Sequence, residues 1–216
     1  MKISELKLIN FRNHKKFSAE LNHDLILITG SNGTGKTNIL EAINLLSTGK
    51  SFRAKYDRDM INYNASFTTA NATTQNSSGE YKLEVQIIKG DNSSNMSVKK
   101  AKVNKVPKSL TLFSGIFNSV MFSPEDLNII IGSPSERRKY IDSILIQTDR
   151  NYKRSLSSYV KAVRQRNKIL ERIAEEGRGQ DELGYWTAKC IETGQYIQEQ
   201  RSKLFVHFNK KIGGDG

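Results

Sequence analysis

The chain has 216 residues, with 34 lysines and arginines against 22 aspartates and glutamates, a net charge of +12 and one cysteine. That length carries one substantial core, or one core with an appended element, and the lone Cys190 excludes an internal disulfide framework and fits a cytoplasmic location. The excess positive charge favours a polyanionic partner; no apolar run approaches the ~20 residues that cross a bilayer, and the N-terminus lacks a signal-peptide pattern, so no membrane partner is expected.

Apolar Ile3, Leu6 and Leu8 set among polar residues predict a strand over Lys2 to Ile9. A second follows over Lys16 to Leu21, with Asn10 to His14 as the turn between them. Leu25-Ile26-Leu27-Ile28-Thr29 then reads as a buried strand running into Gly30-Ser31-Asn32-Gly33-Thr34-Gly35-Lys36-Thr37. Three residue types at this spacing define a phosphate loop. Gly30, Gly33 and Gly35 allow positive φ and bring backbone N–H groups close around phosphate oxygens. Lys36 places a point charge on the β- and γ-phosphates, and Thr37 offers a hydroxyl to Mg²⁺. The following helix should run from Lys36 to Ser47, because Ile39, Leu40, Ala42, Ile43 and Leu46 recur with helical period and Gly49 can terminate it. Its N-terminal dipole adds to the attraction for phosphate, and the predicted nucleotide contacts extend from Gly30 through Asn38. The expected ligands are ATP and Mg²⁺.

The next zone, Phe52 to Phe122, is irregular and then β-rich. Strands over Ser66 to Thr74, Tyr81 to Ile88 and Ser97 to Val103 form an antiparallel meander joined by the turns Gln75 to Gly79 and Gly90 to Ser93. The Asn/Thr/Ser-rich stretch Asn62 to Ser78 reads as a surface loop or an edge strand. Ile116 to Phe122 is predicted as an apolar strand ending in Ser123-Pro124-Glu125-Asp126-Leu127. Ser133 and Glu136 then form a capping box, with Pro134 at the first helical position. Arg137, Arg138 and Lys139 in the opening turns oppose the helix dipole; phosphate contact and a salt bridge to an acidic neighbour are the two readings.

The remainder is helical. Tyr152, Leu156, Tyr159, Val163, Leu170 and Ile173 follow a four-three spacing interrupted by Arg166, and Leu183, Trp186, Cys190, Ile197 and Leu204 continue after the break at Gly177 to Gln180. An antiparallel helical hairpin is expected. Its first helix carries Arg150, Lys153, Arg154, Lys161, Arg164, Arg166, Lys168 and Arg172 against Glu171. Lysines and arginines on a rod follow DNA backbone phosphates without reading bases, so Arg137, Arg138, Lys153, Arg154, Lys161, Arg164 and Lys168 are the DNA-binding candidates; a solvated helix face is the competing reading.

Several segments in this order resemble the RecF family of bacterial recombination mediators, which carry an ABC/SMC-type ATPase head. They are Leu6 to Asn13, the loop Gly30 to Thr37, Gly49-Lys50-Ser51-Phe52-Arg53, Phe122 to Leu127, and Gly132 to Arg138 with Asp142. The resemblance covers nearly the whole chain. It implies an α/β P-loop NTPase lobe with an antiparallel β-meander over residues 1–130, and a helical arm hairpin beginning a second, truncated lobe over residues 131–216. It further implies that Arg12 and Asn13 contact nucleotide, and that Glu125 or Asp126 lies where related heads sense the γ-phosphate. ATP would close two heads into a homodimer on single-stranded or gapped DNA, with RecO and RecR as partners in recombinational repair, replication restart and the SOS response.

No catalytic residue is identifiable. An ABC-type head needs a Leu-Ser-x-Gly-Gln signature loop, a strand ending in Asp-Glu and a switch histidine, and none stands in a suitable place. Leu46-Ser47-Thr48-Gly49-Lys50 mimics the signature but ends the P-loop helix, and Ile144-Leu145-Ile146 before Asp149 falls inside the capped helix. Slow DNA-dependent hydrolysis is expected of the complete protein. The alternatives are another P-loop enzyme, such as a small-molecule kinase, and a non-catalytic fragment with a vestigial loop.

Overall fold

The computed structural model describes residues 1–76, 79–90 and 96–212. They divide into two units, Met1–Ile131 and Gly132–Gly216. In the first, β1 (Lys2–Phe11), β2 (His14–Glu20), β3 (Phe67–Asn76), β4 (Gly79–Lys89), β5 (Ser97–Val103) and β6 (Val106–Lys108) form one sheet in the order β2-β1-β3-β4-β5-β6. Every neighbouring pair is antiparallel.

The register explains the core. Residues directly opposite one another share a face, so the pairings place Leu6, Ala72, Leu83 and Val103 in one row across four strands, and Leu8, Ala70, Val85 and Ala101 in the next. All eight are buried. The helix α1 (Lys36–Thr48) covers this face with Ile39, Ala42, Leu45 and Leu46, and the small Ala70 and Ala72 in the middle of the sheet let it approach. It ends where expected, at Gly49 with φ 74°, whose N–H bonds the Leu45 carbonyl. Lys99 closes that end: its ammonium donates to the Gly49 carbonyl at 2.8 Å and pairs with Asp57 at 2.7 Å. The signature mimic therefore lies at the closed end of α1, with Ser47 and Thr48 buried.

Three expectations for this unit are corrected. The Asn/Thr/Ser-rich stretch holds β3, an interior strand between β1 and β4, instead of a loop or an edge. Its polar composition misleads because the alternating buried positions Thr68, Ala70, Ala72 and Thr74 are small residues that fit under a helix; the Thr68 hydroxyl is satisfied by the Ile9 carbonyl at 3.0 Å. Second, Leu25 to Thr29 is not a strand: Leu25 is 90% and Leu27 85% exposed. Third, Ile116 to Phe122 is not a strand either; Phe117 is buried, whereas Val120 is 99% exposed. Both runs have strand composition, but a strand exists only when a neighbour takes its N–H and C=O groups, and among the described residues none pairs with them. The turn residues Ser77, Ser78 and Asp91 to Ser93 lie outside the described residues. Short helical turns complete the unit: a 3-10 turn at Asp57–Met60, α2 (Leu110–Phe113), a second 3-10 turn at Pro124–Leu127, and α3 (Asn128–Ile131).

The second unit comprises α4 (Pro134–Thr148), α5 (Arg150–Glu176) and α6 (Gln180–Ile212). Pro134 opens α4 as predicted, but the capping box is not made: the Ser133 hydroxyl meets that of Ser135 at 2.6 Å, and Glu136 pairs with Lys139 at 2.8 Å. Closer partners outcompete the cap. The segment Ile144-Leu145-Ile146 lies within α4. Asp149 caps α5, accepting from the N–H groups of Asn151 and Tyr152, and Gly177 with φ 69° ends it. The helices α5 and α6 run antiparallel, since Arg172 meets Glu182, Arg166 meets Thr187, and Arg201 meets Tyr152. The seam is shifted slightly from expectation. Tyr152 and Ile197 are buried as predicted, but Ala162 and Ile169 are buried in place of Val163 and Leu170, Leu170 faces outward, and Arg166 enters the seam by donating to the Thr187 hydroxyl at 3.2 Å. No helix among the described residues is long and apolar enough to cross a membrane.

One cluster fixes α6 against α4 and α5. Arg201 grips Asp142 through Nη2 at 2.7 and 3.0 Å and Nε at 3.0 Å, while the buried Tyr152 hydroxyl donates to the same carboxylate. Burial first, then the hydrogen bond to Asp142 and its charge, push the Tyr152 hydroxyl's pKa upward, so it remains a donor. Arg201→Met should destabilise the helical unit by about 2 kcal/mol, less than for a fully buried pair because both partners retain some exposure. Thermal unfolding followed by circular dichroism measures it.

Candidate nucleotide-binding site and nucleic-acid interface

The loop between Gly30 and Lys36 has the predicted backbone. Gly30, Gly33 and Gly35 have φ of 149°, 86° and 100°. The Lys36 ammonium lies across the loop, donating to the carbonyls of Gly30 at 2.6 Å and Ser31 at 2.8 Å, and the Thr34 hydroxyl bonds the Ser31 carbonyl at 2.9 Å. Among the described residues, the amides of Asn32, Gly33, Gly35, Lys36 and Thr37 have no protein acceptor. Unpaired donors around an ammonium at a helix N-terminus are what an anion requires. Thr37 is exposed at the start of α1.

The β1–β2 turn lies against this loop. Asn13 Nδ2 donates to the Gly33 carbonyl at 3.0 Å, and its Oδ1 accepts from Asn38 Nδ2 at 2.7 Å; His14 Nε2 lies 3.1 Å from the Gly35 carbonyl. Asn13 and Asn38 are thus brought to the loop as predicted. Arg12 is not: its guanidinium forks onto Glu41, with Nε to Oε2 at 2.9 Å and Nη2 to Oε1 at 2.6 Å, and donates through Nη1 to the Asp59 carbonyl. Arg12 also holds φ 54°, a left-handed value uncommon outside glycine. The surroundings enforce it: its N–H bonds the Met60 carbonyl at 2.8 Å, and Asn62 Nδ2 reaches its carbonyl at 2.5 Å.

Sequence reasoning missed Glu41. Its side chain is 0% exposed and accepts from Arg12, from the Ser51 hydroxyl at 2.5 Å, and from Arg53 Nε at 3.1 Å and Nη2 at 2.9 Å. Burial alone would raise its pKa, but the hydrogen bonds from Arg12, Ser51 and Arg53 outweigh this and hold the carboxyl below the usual range. Its contribution to stability is therefore complete above the ordinary carboxylate pKa and is lost as pH falls through the depressed folded value. Arg53 also donates to Asn38 Oδ1. The available signal was positional: Glu41 is four residues before the core residue Leu45 and shares its face.

Other predicted residues fall elsewhere. Asp126 accepts from the Ser123 N–H at 2.6 Å, a local turn contact, and among the described residues no hydrogen bond joins it to the loop. The Glu125 side chain is outside the described residues. On α5, Arg150, Arg154, Lys161, Arg164 and Lys168 are all exposed, and their spacing of four, seven, three and four residues puts them in one stripe. The stripe extends about 27 Å at the helical rise. None of these cations has an ion-pair partner among the described residues. Lys153 is half-buried and off the stripe, Arg166 and Arg172 are engaged with α6, and Arg137 and Arg138 are exposed on α4.

A phosphate loop opening a helix, packed with an antiparallel sheet, defines a P-loop α/β protein, and the chain belongs to the AAA domain family, which matches residues 5–205. Within that class it is similar to RecF. It is 36% identical over 214 residues to the DNA replication and repair protein RecF of Agathobacter rectalis, covering 98% of this chain and 57% of that one. It is 36% identical over 205 residues to RecF of Natranaerobius thermophilus, covering 94% and 52%. Among solved structures, the recombination mediator protein RecF-ATPrS in the RecFOR pathway superimposes with a TM-score of 0.87 at 34% identity, covering 99% of this chain and 58% of that one. The RecF-ATP form gives a TM-score of 0.85 at 34% identity. The expected resemblance to RecF and the fold class are borne out, and the chain spans little more than half the length of these relatives.

Proposed function

We propose that the chain binds ATP with Mg²⁺ at residues Gly30 to Asn38 and DNA through backbone phosphates along the α5 stripe, in a RecF-type protein of recombinational repair and replication restart. The observation that carries the reading is the set of unpaired amides around Lys36. The loop amides would surround the β-phosphate, Lys36 would move from the Gly30 and Ser31 carbonyls to phosphate oxygens, and Thr37 would hold Mg²⁺. The metal's chemistry is to neutralise charge on the phosphates. Residues 132–216 form the start of a second lobe and its arm, and ATP acts as a switch that closes two heads into a homodimer on single-stranded or gapped DNA. RecO and RecR are its partners, and the cytoplasm its location.

DNA binding measured by fluorescence anisotropy tests the interface. With four to five phosphates neutralised along the stripe, log K should fall against log salt with a slope of about −4, which is about two orders of magnitude between about 50 and 200 mM salt. Arg154→Glu with Lys161→Glu should reduce the slope by about 2 and leave sequence preference flat. A salt-insensitive or sequence-selective isotherm would reject backbone binding.

A further inference from the structure

We infer that Glu41 is a positioning residue of the phosphate loop, acting on it through a continuous hydrogen-bonded chain and not through contact with the ligand. The inference rests on the nucleotide reading above. Glu41 holds Arg53, Arg53 donates to Asn38, Asn38 donates to Asn13, and Asn13 donates to the Gly33 carbonyl. A second route runs from Glu41 to Arg12, the residue adjoining Asn13 in the same turn. Both routes converge on the Asn13 turn, which meets the loop at the Gly33 and Gly35 carbonyls.

Three observations set Glu41 apart from a residue that only fills space. It is a carboxylate excluded from solvent in a helix that also buries Ile39, Ala42, Leu45 and Leu46, where an apolar side chain would pack without charged partners. It binds two arginines from segments 29 residues before and 12 residues after it, joining three parts of the chain at one point. The turn it holds contains a left-handed Arg12, and backbone strain of this kind persists where the surroundings over-determine it and gathers at ligand-binding sites. The consequence is pre-organisation: with Glu41 in place, the Gly33 carbonyl is held by Asn13, and the loop needs less ordering when an anion arrives.

The test is a double-mutant cycle on the full chain, read as Mg·ATP affinity by titration calorimetry, with thermal unfolding recorded for each variant. Glu41→Gln removes the charge while keeping the shape, and Asn13→Ala removes the last link. Each should weaken ATP about tenfold. If Glu41 acts through Asn13, the double variant should be weakened little beyond either single one. An additive loss of about a hundredfold, or wild-type affinity in Glu41→Gln, would overturn the inference. Should Glu41→Gln fail to fold, Arg53→Ala removes a half-exposed link and is read in the same cycle with the same two outcomes. A wild-type chain that does not bind ATP would overturn the nucleotide reading and this inference together, whereas an additive cycle on a binding-competent chain overturns only the latter.

Discussion

Lys36→Ala should abolish measurable ATP binding while leaving the thermal unfolding temperature nearly unchanged. In the structure the ammonium touches only the Gly30 and Ser31 carbonyls, and it lies at an exposed loop, so its removal vacates no core volume. Two charge-assisted hydrogen bonds to phosphate, each of about 1.5–3 kcal/mol, correspond to a loss of about a hundredfold to ten-thousandfold. Lys36→Arg should rescue little, because a planar fork cannot replace a compact point charge inside a tight loop. Titration calorimetry with Mg·ATP is the measurement. Unchanged affinity in Lys36→Ala would remove the phosphate-loop assignment, and with it the reason for placing Thr37 on Mg²⁺.

Much of the first unit was legible because its signals are local. Leu83, Val85 and Ile87 alternate with polar residues, which a half-buried strand does for any partner, and β5 occupies Ser97–Val103 as predicted. The glycine spacing of the loop dictates its backbone regardless of surroundings. What failed required knowledge of a distant partner. Leu25 to Ile28 has the composition of a central strand, yet strand formation belongs to a pair of segments and not to one. Glu41 reads as the polar side of α1, and only the return of Arg12 and Arg53 to the same point makes it an interior residue while Leu40 is turned outward, 45% exposed. The α5 seam illustrates an intermediate case: the four-three spacing located the helix and its partner, but Ile169 and Leu170 are equally apolar neighbours, and only α6 decides which is enclosed.

The cationic stripe and the phosphate loop also differ in what a sequence can say about them. The stripe on α5 is visible because Arg154, Lys161 and Lys168 recur every seven residues, a spacing that preserves a face along the rod. That a face is exposed and unneutralised is a property of the folded unit. Arg172 and Arg166 carry the same charge in the same helix, yet Glu182 and Thr187 engage them. Partner assignments thus separate the cations free to follow phosphates from those that hold the hairpin together, and composition alone counts both.

Gly35→Ala should weaken ATP at least a hundredfold and lower the unfolding temperature of the first unit by about 10 °C, whereas Gly33→Ala should do much less. Both glycines have positive φ, so each substitution incurs about 1–2 kcal/mol of backbone strain. They differ in what surrounds them. A Cβ on Gly33 meets nothing within 4 Å. A Cβ on Gly35 would lie 2.4 Å from Asn13 Oδ1 and 2.5 Å from His14 Nε2, so both side chains must withdraw. Their withdrawal breaks the bonds to the Gly33 carbonyl, the Asn38 amide and the Gly35 carbonyl, each worth about 1 kcal/mol, and frees the loop from the β1–β2 turn. Adding Asn13→Ala to Gly35→Ala relieves the Asn13 part of the clash, leaving His14, and should restore part of the unfolding temperature but not the ATP affinity, because the latch itself is gone. Equal effects of Gly33→Ala and Gly35→Ala would mean that backbone conformation alone sets the loop and that the turn behind it contributes nothing.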